Sequence, residues 1–263
     1  MTEPPSTNIQ QSPNEDVTAA VLVIGDEILS GRTKEANAGY IADVLTAAGI
    51  RLREVRVVAD DEADIVAALN SLRARYTYVF TTGGIGPTHD DITADCIAKA
   101  FGVAIDVDER ALARMMPYYE SRGLELTPSR LRMARLPKGA ELITNRITAA
   151  PGFKIGNVFV MAGVPSIMQA MLDEILPGLR TGRKMLSQSI KVLAPESEVA
   201  DLFAEHQKAF PSVIMGSYPS FAGGQMRCEL VLRSIDAEAL AEADVALRQK
   251  LTNIGIPIGK SDS

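Results

Sequence analysis

The chain of 263 residues has no tryptophan, two cysteines and two histidines. Cys96 and Cys228 are too far apart to form a metal-binding spacing, and two thiols cannot build a disulfide framework, so a reducing cytoplasm is the expected compartment. Two histidines leave little from which to assemble a His/Cys zinc site. Basic residues are the minority, 27 Lys and Arg against 33 Asp and Glu. The net charge of −6 argues against a general nucleic-acid or anionic-membrane surface, although it permits a small anion site. No apolar run approaches the roughly 20 residues that span a bilayer. The opening stretch "MTEPPSTNIQQSPNEDV" lacks both the basic start and the apolar centre of a secretory signal, and residues 1–18 read as a polar, disordered tail.

What is present is ordinary for a globular protein, 46% hydrophobic and 23% charged residues. "AAVLVIGD" reads as a strand buried on both faces, "IRLREVRVV" as a strand with Leu52, Val55 and Val57 inward, and "YTYVFTT" as a third strand. Between and after them, "EANAGYIADVLTAAG", "DEADIVAALNSLRARY" (Asp61 as N-cap) and "ITADCIAKAFG" carry apolar residues at helical spacing. Residues 108–137 read as helix in two pieces broken near Gly123 and Pro128. "NVFVMAG" is a further strand, and Pro165 opens the helix "PSIMQAMLDEILPGL". Alternation of strand and helix predicts a three-layer, doubly wound α/β domain with a mostly parallel sheet over residues 19–180. After the polar stretch "RTGRKMLSQ", residues 188–258 read as a small α+β domain, its last two strands joined by a short Gly-rich link as in a hairpin.

The segment "TTGGIGPTHDD" (Thr81–Asp91) carries the chemistry. It is not a Walker A loop, because no lysine lies between Leu72 and Lys99, and it is not a dinucleotide fingerprint, because the third glycine position is His89. Gly83, Gly84 and Gly86 nevertheless bare their backbone amides between a strand end and a helix N-terminus, where phosphates bind. Asp90, Asp91 and Asp95 follow, with Asp91 and Asp95 expected on one side of the helix's first turns. They favour a helix start as caps, and they equally suit a Mg²⁺ ion that offsets the repulsion between carboxylate and phosphate. Asp60 and Asp61 end the second strand, and Asp26 and Glu27 end the first. Of these, Asp61 and Asp26 read as structural. His89 suits a loop hydrogen bond better than a catalytic base, and Ser30, Thr82, Thr88 and Thr93 suit phosphate donors or turns alike. Tyr118 and Tyr119 read as packing residues, with stacking on a ring as the alternative, and Met115, Met116, Met168 and Met171 as core filler.

"GDEILSGRTKEANAGYIADVLTAAGI", "VVADDEADI", "TTGGIGPTHDDIT", "APGF" and "AGVPSIM" together resemble the molybdopterin-binding-type (MoaB/Mog-like) domain family. The resemblance is closest to its branch in competence/damage-inducible protein A and the FAD synthases, covers Ala19 to Leu179, and extends to the tail domain of the competence-protein branch. It implies a three-layer fold, a homo-oligomer, and a small nucleotide or pterin ligand at the glycine loop. It places metal-supporting acids on Asp60 and Asp91, with Asp95 following, and ligand contacts on Gly25, Glu27, Thr82, Gly83, Gly84, Gly86, Gly163 and Pro165. Ala162 departs from the family's usual proline. The chemistry it implies is Mg²⁺-dependent hydrolysis of a nucleotide pyrophosphate such as ADP-ribose or FAD, with Asp60 and Asp91 catalytic. Molybdopterin binding or adenylylation, and a non-catalytic nucleotide-binding module, are the alternatives.

Overall fold

The computed structural model describes residues 16–222 and 225–259. The polar tail expected at the start lies largely outside the described residues. Val17 is already buried, and Thr18 already opens the first strand. The chain divides into two compact units, residues 1–182 and 183–263.

The first unit is built on a six-stranded sheet. Its strands are β1 (Thr18–Ile24), β2 (Arg51–Val58), β3 (Tyr78–Thr82), β6 (Glu141–Ile143), β7 (Gly152–Ile155) and β8 (Val158–Met161), in spatial order β2-β1-β3-β8-β7-β6. The β1/β2, β1/β3 and β3/β8 pairs are parallel, and β7 pairs antiparallel with both β8 and β6. A separate two-stranded ribbon joins β4 (Ile105–Val107) to β5 (Arg135–Pro137). The helices are α1 (Asp26–Leu29), α2 (Asn37–Ala47), α3 (Glu62–Arg75), α4 (Thr93–Phe101), α5 (Glu109–Glu120), α6 (Pro128–Leu131) and α7 (Pro165–Ile175).

Strand β1 shows why three layers form. Its side chains alternate between two apolar clusters. Ala20, Leu22 and Ile24 join Ile65, Leu69 and Leu72 of α3 and Ile97 of α4. Ala19, Val21 and Val23 join Ile41 and Leu45 of α2 and Met168, Leu172 and Ile175 of α7. Each fully buried aliphatic side chain of this kind contributes about 1.5–3 kcal/mol by removal from water. Asp61 caps α3, accepting from the amides of Ala63 and Asp64 at 2.9 and 3.0 Å. Gly102, at φ +66°, ends α4 in the left-handed conformation.

The inward face expected for β2 is corrected. The pairing slips between Ala19 and Ala20, whose partners are Leu52 and Glu54, so Arg53 is bulged out. The bulge keeps Leu52, Val55 and Val57 on one face, opposite Ala19, Val21 and Val23, but β2 is an edge strand and only Leu52 is packed there, with Val55 and Val57 46% and 36% exposed. Met116 is likewise exposed rather than core, whereas Met115, Met168 and Met171 are buried.

The second unit is an antiparallel sheet of β9 (Leu186–Val192), β10 (Ile214–Ala222) and β11 (Gln225–Ser234), in order β10-β11-β9, with α8 (Glu196–Ala209) and α9 (Ala237–Asn253). Ile190, Val192, Cys228, Leu230 and Leu232 of the sheet pack with Val199 and Phe203 of α8 and Leu240, Leu247 and Leu251 of α9. Ala222 pairs with Gln225 where β10 meets β11, and the two residues between lie outside the described residues. His206 is buried in this unit, bonded to the carbonyl of Ala243, and burial lowers its basicity.

Candidate functional site

Because β1, β3 and β8 are adjacent and parallel, the loops leaving their carboxyl ends meet at one edge of the sheet. The glycine loop after β3 is held from both sides. The Gly83 amide donates to the carbonyl of Met161 at 3.2 Å, prolonging the β3/β8 ladder. Thr93, at the start of α4, returns two bonds, its amide to the Gly84 carbonyl and its hydroxyl to the Gly83 carbonyl, both at 3.0 Å. Gly83 and Gly84 adopt φ +104° and +67°. A Cβ at Gly83 would stand 2.1 Å from the Ile24 carbonyl oxygen, and one at Gly84 would stand 2.1 Å from the Thr93 hydroxyl. Only glycine fits both positions. The carbonyls of Gly83 and Gly84 are thus consumed, while the amides of Gly84, Ile85 and Gly86 have no hydrogen-bond partner among the described residues. Gly83 supports the loop, and the next three residues supply its free donors.

These residues form one wall of a cleft of about 580 Å³. That volume is within the range of small-molecule sites, about 300–1,000 Å³. The other walls come from Tyr118, Tyr119, Met133, residues 148–151 and residues 162–165. Glu27, Gly163 and Pro165 also line the cleft, while Gly25 is covered by Glu27, whose carboxylate lies 2.5 Å from the position a Gly25 Cβ would take. Tyr118 and Tyr119 meet edge to face at 5.4 Å between centroids. Each carries a guanidinium on its ring, Arg122 at 3.8 Å and Arg130 at 4.9 Å. Packing and lining the cleft are therefore both true of the two tyrosines. Met133 and Met171 also reach the cleft rather than serving only as filler. Ala162, where the resembled family has proline, donates its amide to the Met171 sulfur at 3.5 Å, a bond that proline cannot make.

The acids separate into three roles. Asp60 and Asp26 exchange backbone-to-carboxylate bonds, 3.0 Å from the Asp26 amide and 3.4 Å from the Asp60 amide. Partial burial holds the Asp60 carboxyl above the usual range, and the neighbouring charges of Asp26, Glu27 and Asp90 raise it further, against the lowering effect of the Asp26 amide. Asp91 is not on α4, which begins at Thr93 with Ile92 as its N-cap, and it does not cap that helix. Its carboxylate instead accepts from the amide (2.8 Å) and hydroxyl of Thr88, closing the turn after the glycine loop. Asp60 Oδ1 lies 3.6 Å from the Cβ position of Gly84 and Asp91 Oδ2 2.6 Å from that of Gly86, so both flank the same loop. Asp95 is engaged by Arg135, which grips it with two bonds of 2.7 and 3.0 Å, and the pair lines the same small crevice as Asp91, Gly84 and Gly86. Among the described residues no three His, Cys, Asp or Glu side chains are grouped to hold a metal ion, so Asp60, Asp91 and Asp95 do not form the expected trio. Among the described residues His89 makes no backbone hydrogen bond. Its side chain is 98% exposed, 4.0 Å from Asp90.

Arg132 was not singled out from the sequence. Its guanidinium donates to the Asp91 carbonyl at 3.1 Å and lines a crevice of about 10 Å³ with Gly84, Gly86 and Asp91. This brings a positive charge to the loop from behind. The signal was the run "SRLRMAR", three arginines within a segment otherwise read as broken helix.

A family profile described as "probable molybdopterin binding domain" matches residues 20–181, and one described as "FAD synthase, middle domain" matches residues 184–257. A protein of Caldivirga maquilingensis is 35% identical over 239 residues, 88% of this chain and 92% of that relative. A CinA-like protein of Citrifermentans bemidjiense is 38% identical over 247 residues, 89% of this chain but 58% of that relative, so the chain spans little more than half its length. The crystal structure of CinA from Thermoplasma acidophilum, a protein of unknown function, superposes with a TM-score of 0.57 at 36% identity, covering 62% of this chain and 99% of that one.

Proposed function

The chain belongs to the molybdopterin-binding domain family, and on that premise we propose that its first unit binds a phosphorylated pterin or nucleotide. The phosphate takes the free amides of Gly84, Ile85 and Gly86, and the flat ring takes the apolar reach of the cleft beside Tyr118, Met133 and Ala149. One observation carries this assignment. Three consecutive residues whose amides have no partner among the described residues line a cleft that also has apolar and aromatic walls. Such amides stabilise negative charge without reorganising when it arrives, and Arg132 adds to the field.

A second function, phosphoanhydride hydrolysis or adenylyl transfer, is favoured by the acids around Asp60. Burial chiefly, and then the charges of Asp26, Glu27 and Asp90, raise the Asp60 carboxyl, and a divalent cation would relieve the charge part of this. Asp60, with Glu27 near it, would hold such an ion only if phosphate oxygens and water completed its shell, since no three acids are grouped among the described residues, and Asp95, engaged by Arg135, would not take part. When bound, such an ion would polarise a phosphoryl oxygen. The chain's own residues orient the phosphate on the amides, and Asp91, a wall of the cleft, positions the attacking group.

Thermal stabilisation with AMP, ADP-ribose, FAD, and molybdopterin with ATP, each with and without Mg²⁺, tests both functions. A ligand at 100 times its Kd stabilises the fold by about 2.7 kcal/mol. Absence of any shift across the panel refutes ligand binding. A shift without turnover refutes the catalytic extension alone, and turnover that survives Asp91→Ala refutes the role given to Asp91.

A further inference from the structure

A carboxylate stands beside the glycine loop without bonding to it. Asp91 Oδ2 lies 2.6 Å from the position a Gly86 Cβ would take, and Asp91 and Gly86 line the same cleft. The Gly86 amide nonetheless has no partner among the described residues. The carboxylate accepts instead from the Thr88 amide at 2.8 Å and from the Thr88 hydroxyl. The main chain of Asp91 is held as well. Its amide donates to the Thr88 carbonyl at 3.3 Å, and its carbonyl accepts from Arg132 Nη2 at 3.1 Å. Arg132 and Arg135 come from one short segment and divide their work. Arg135 is spent on the Asp95 carboxylate, and Arg132 on the Asp91 carbonyl.

A carboxylate and a phosphate compete for the same donors, because both are anionic oxygen acceptors. An aspartate this close to three unpartnered amides can close on them and fill the site itself. We propose that Thr88 and Arg132 form a restraint that keeps the Asp91 carboxylate off the Gly84–Gly86 amides and so leaves the loop open to phosphate. The inference rests on the phosphate-binding function above. Thr88 occupies the carboxylate with two donors of its own, and Arg132 fixes the backbone from which that side chain swings. Arg132 is thus a positioning residue that acts through Asp91. Its effect on a ligand depends on the Asp91 carboxylate being there to restrain.

Calorimetric titration of ADP into the full chain without Mg²⁺ tests the restraint through double-mutant cycles. Arg132→Met binds ADP about tenfold more weakly than the wild type, Thr88→Val about threefold more weakly, and Arg132→Lys, which keeps a donor for the carbonyl, recovers most of the loss. Asp91→Ala binds about threefold more tightly, since a like charge beside the phosphate is gone. Added to Asp91→Ala, either Arg132→Met or Thr88→Val changes the affinity by less than about twofold. Arg135→Met lowers the melting temperature by orphaning Asp95 but keeps ADP affinity within about twofold. An Arg132→Met loss that is the same with and without the Asp91 carboxylate means that the guanidinium acts on the ligand directly, and overturns the restraint. Wild-type affinity in Arg132→Met overturns it too, as does an equal loss in Arg135→Met, which would make the effect one of general loosening. Failure of ADP to bind the wild type overturns the phosphate function and the restraint with it. Should Arg132→Met not fold, the cycle of Thr88→Val with Asp91→Ala decides the matter.

Discussion

Replacing Gly83 by alanine should be among the most damaging single-methyl changes in the first unit. At φ +104° an L-residue is strained, at a cost of about 1–3 kcal/mol. The new Cβ would also meet the Ile24 carbonyl oxygen at 2.1 Å. That oxygen is backbone at the end of the central strand β1, so relief requires moving the sheet or breaking the Gly83 to Met161 bond, a further cost of about 1–3 kcal/mol. The total is roughly 2–6 kcal/mol. Two controls separate the contributions. Gly102→Ala carries the positive φ (+66°) with nothing within 4 Å of the new methyl, and should cost about 1 kcal/mol. Gly163→Ala carries no positive φ but brings a methyl to 3.2 Å of the Gly83 Cα, and should cost about 1 kcal/mol or less. Urea unfolding followed by tyrosine absorbance suits the measurement, because the chain has no tryptophan and only Tyr218 of its 6 tyrosines lies outside the first unit. If Gly83→Ala costs no more than Gly102→Ala, the loop is not clamped against β1 as described.

Asp60→Asn should stabilise the metal-free protein at neutral pH by about 0.5–2 kcal/mol, as removal of strained functional groups commonly does. The raised carboxyl binds its proton more tightly when folded, so its contribution to stability is fully present below the ordinary value of 3.8 and is lost as pH rises through the elevated one. The gain of the variant in urea midpoint should therefore shrink as pH falls towards 3.8, and a constant gain would contradict this. Burial, with the charges of Glu62 and Asp95, pushes the Cys96 thiol up to about 12, so it should resist thiol reagents in the native protein and react only in urea. Rapid labelling of Cys96 without denaturant would show the α4 packing to be wrong. Asp95→Ala should cost stability through the orphaned Arg135, about 1–3 kcal/mol in urea unfolding, while leaving ligand affinity within about twofold. A large affinity loss at full stability would return Asp95 to the site.

The core strands and the flanking helices were legible because their signals are local. Continuous apolar runs mark β1 and β3, and helical spacing marks α2, α3, α4 and α7. The three- and four-residue strands β4 to β7 are too short to show an alternation, and the antiparallel edge of the sheet was missed with them. In β2 the three apolar residues do share a face, but the strand lies at the sheet edge and that face is covered only at Leu52, which nothing within the strand's own sequence announces. The glycine loop was legible because Gly83 and Gly84 answer to backbone geometry. The partners of the acids were not, since Arg135 reaches Asp95, and Arg132 reaches Asp91, from about 40 residues away. Tyr118, Met133 and residues 148–151 become one wall only through that same tertiary approach.

The most direct measurement is a titration of ADP into ¹⁵N-labelled protein, followed by the backbone amide resonances. The amides of Gly84, Ile85 and Gly86 should show the largest shifts, saturating together with a single Kd, while that of Gly83, bonded to Met161, moves less. Saturable binding that leaves the resonances of Gly84–Gly86 in place would put the phosphate elsewhere and contradict the site.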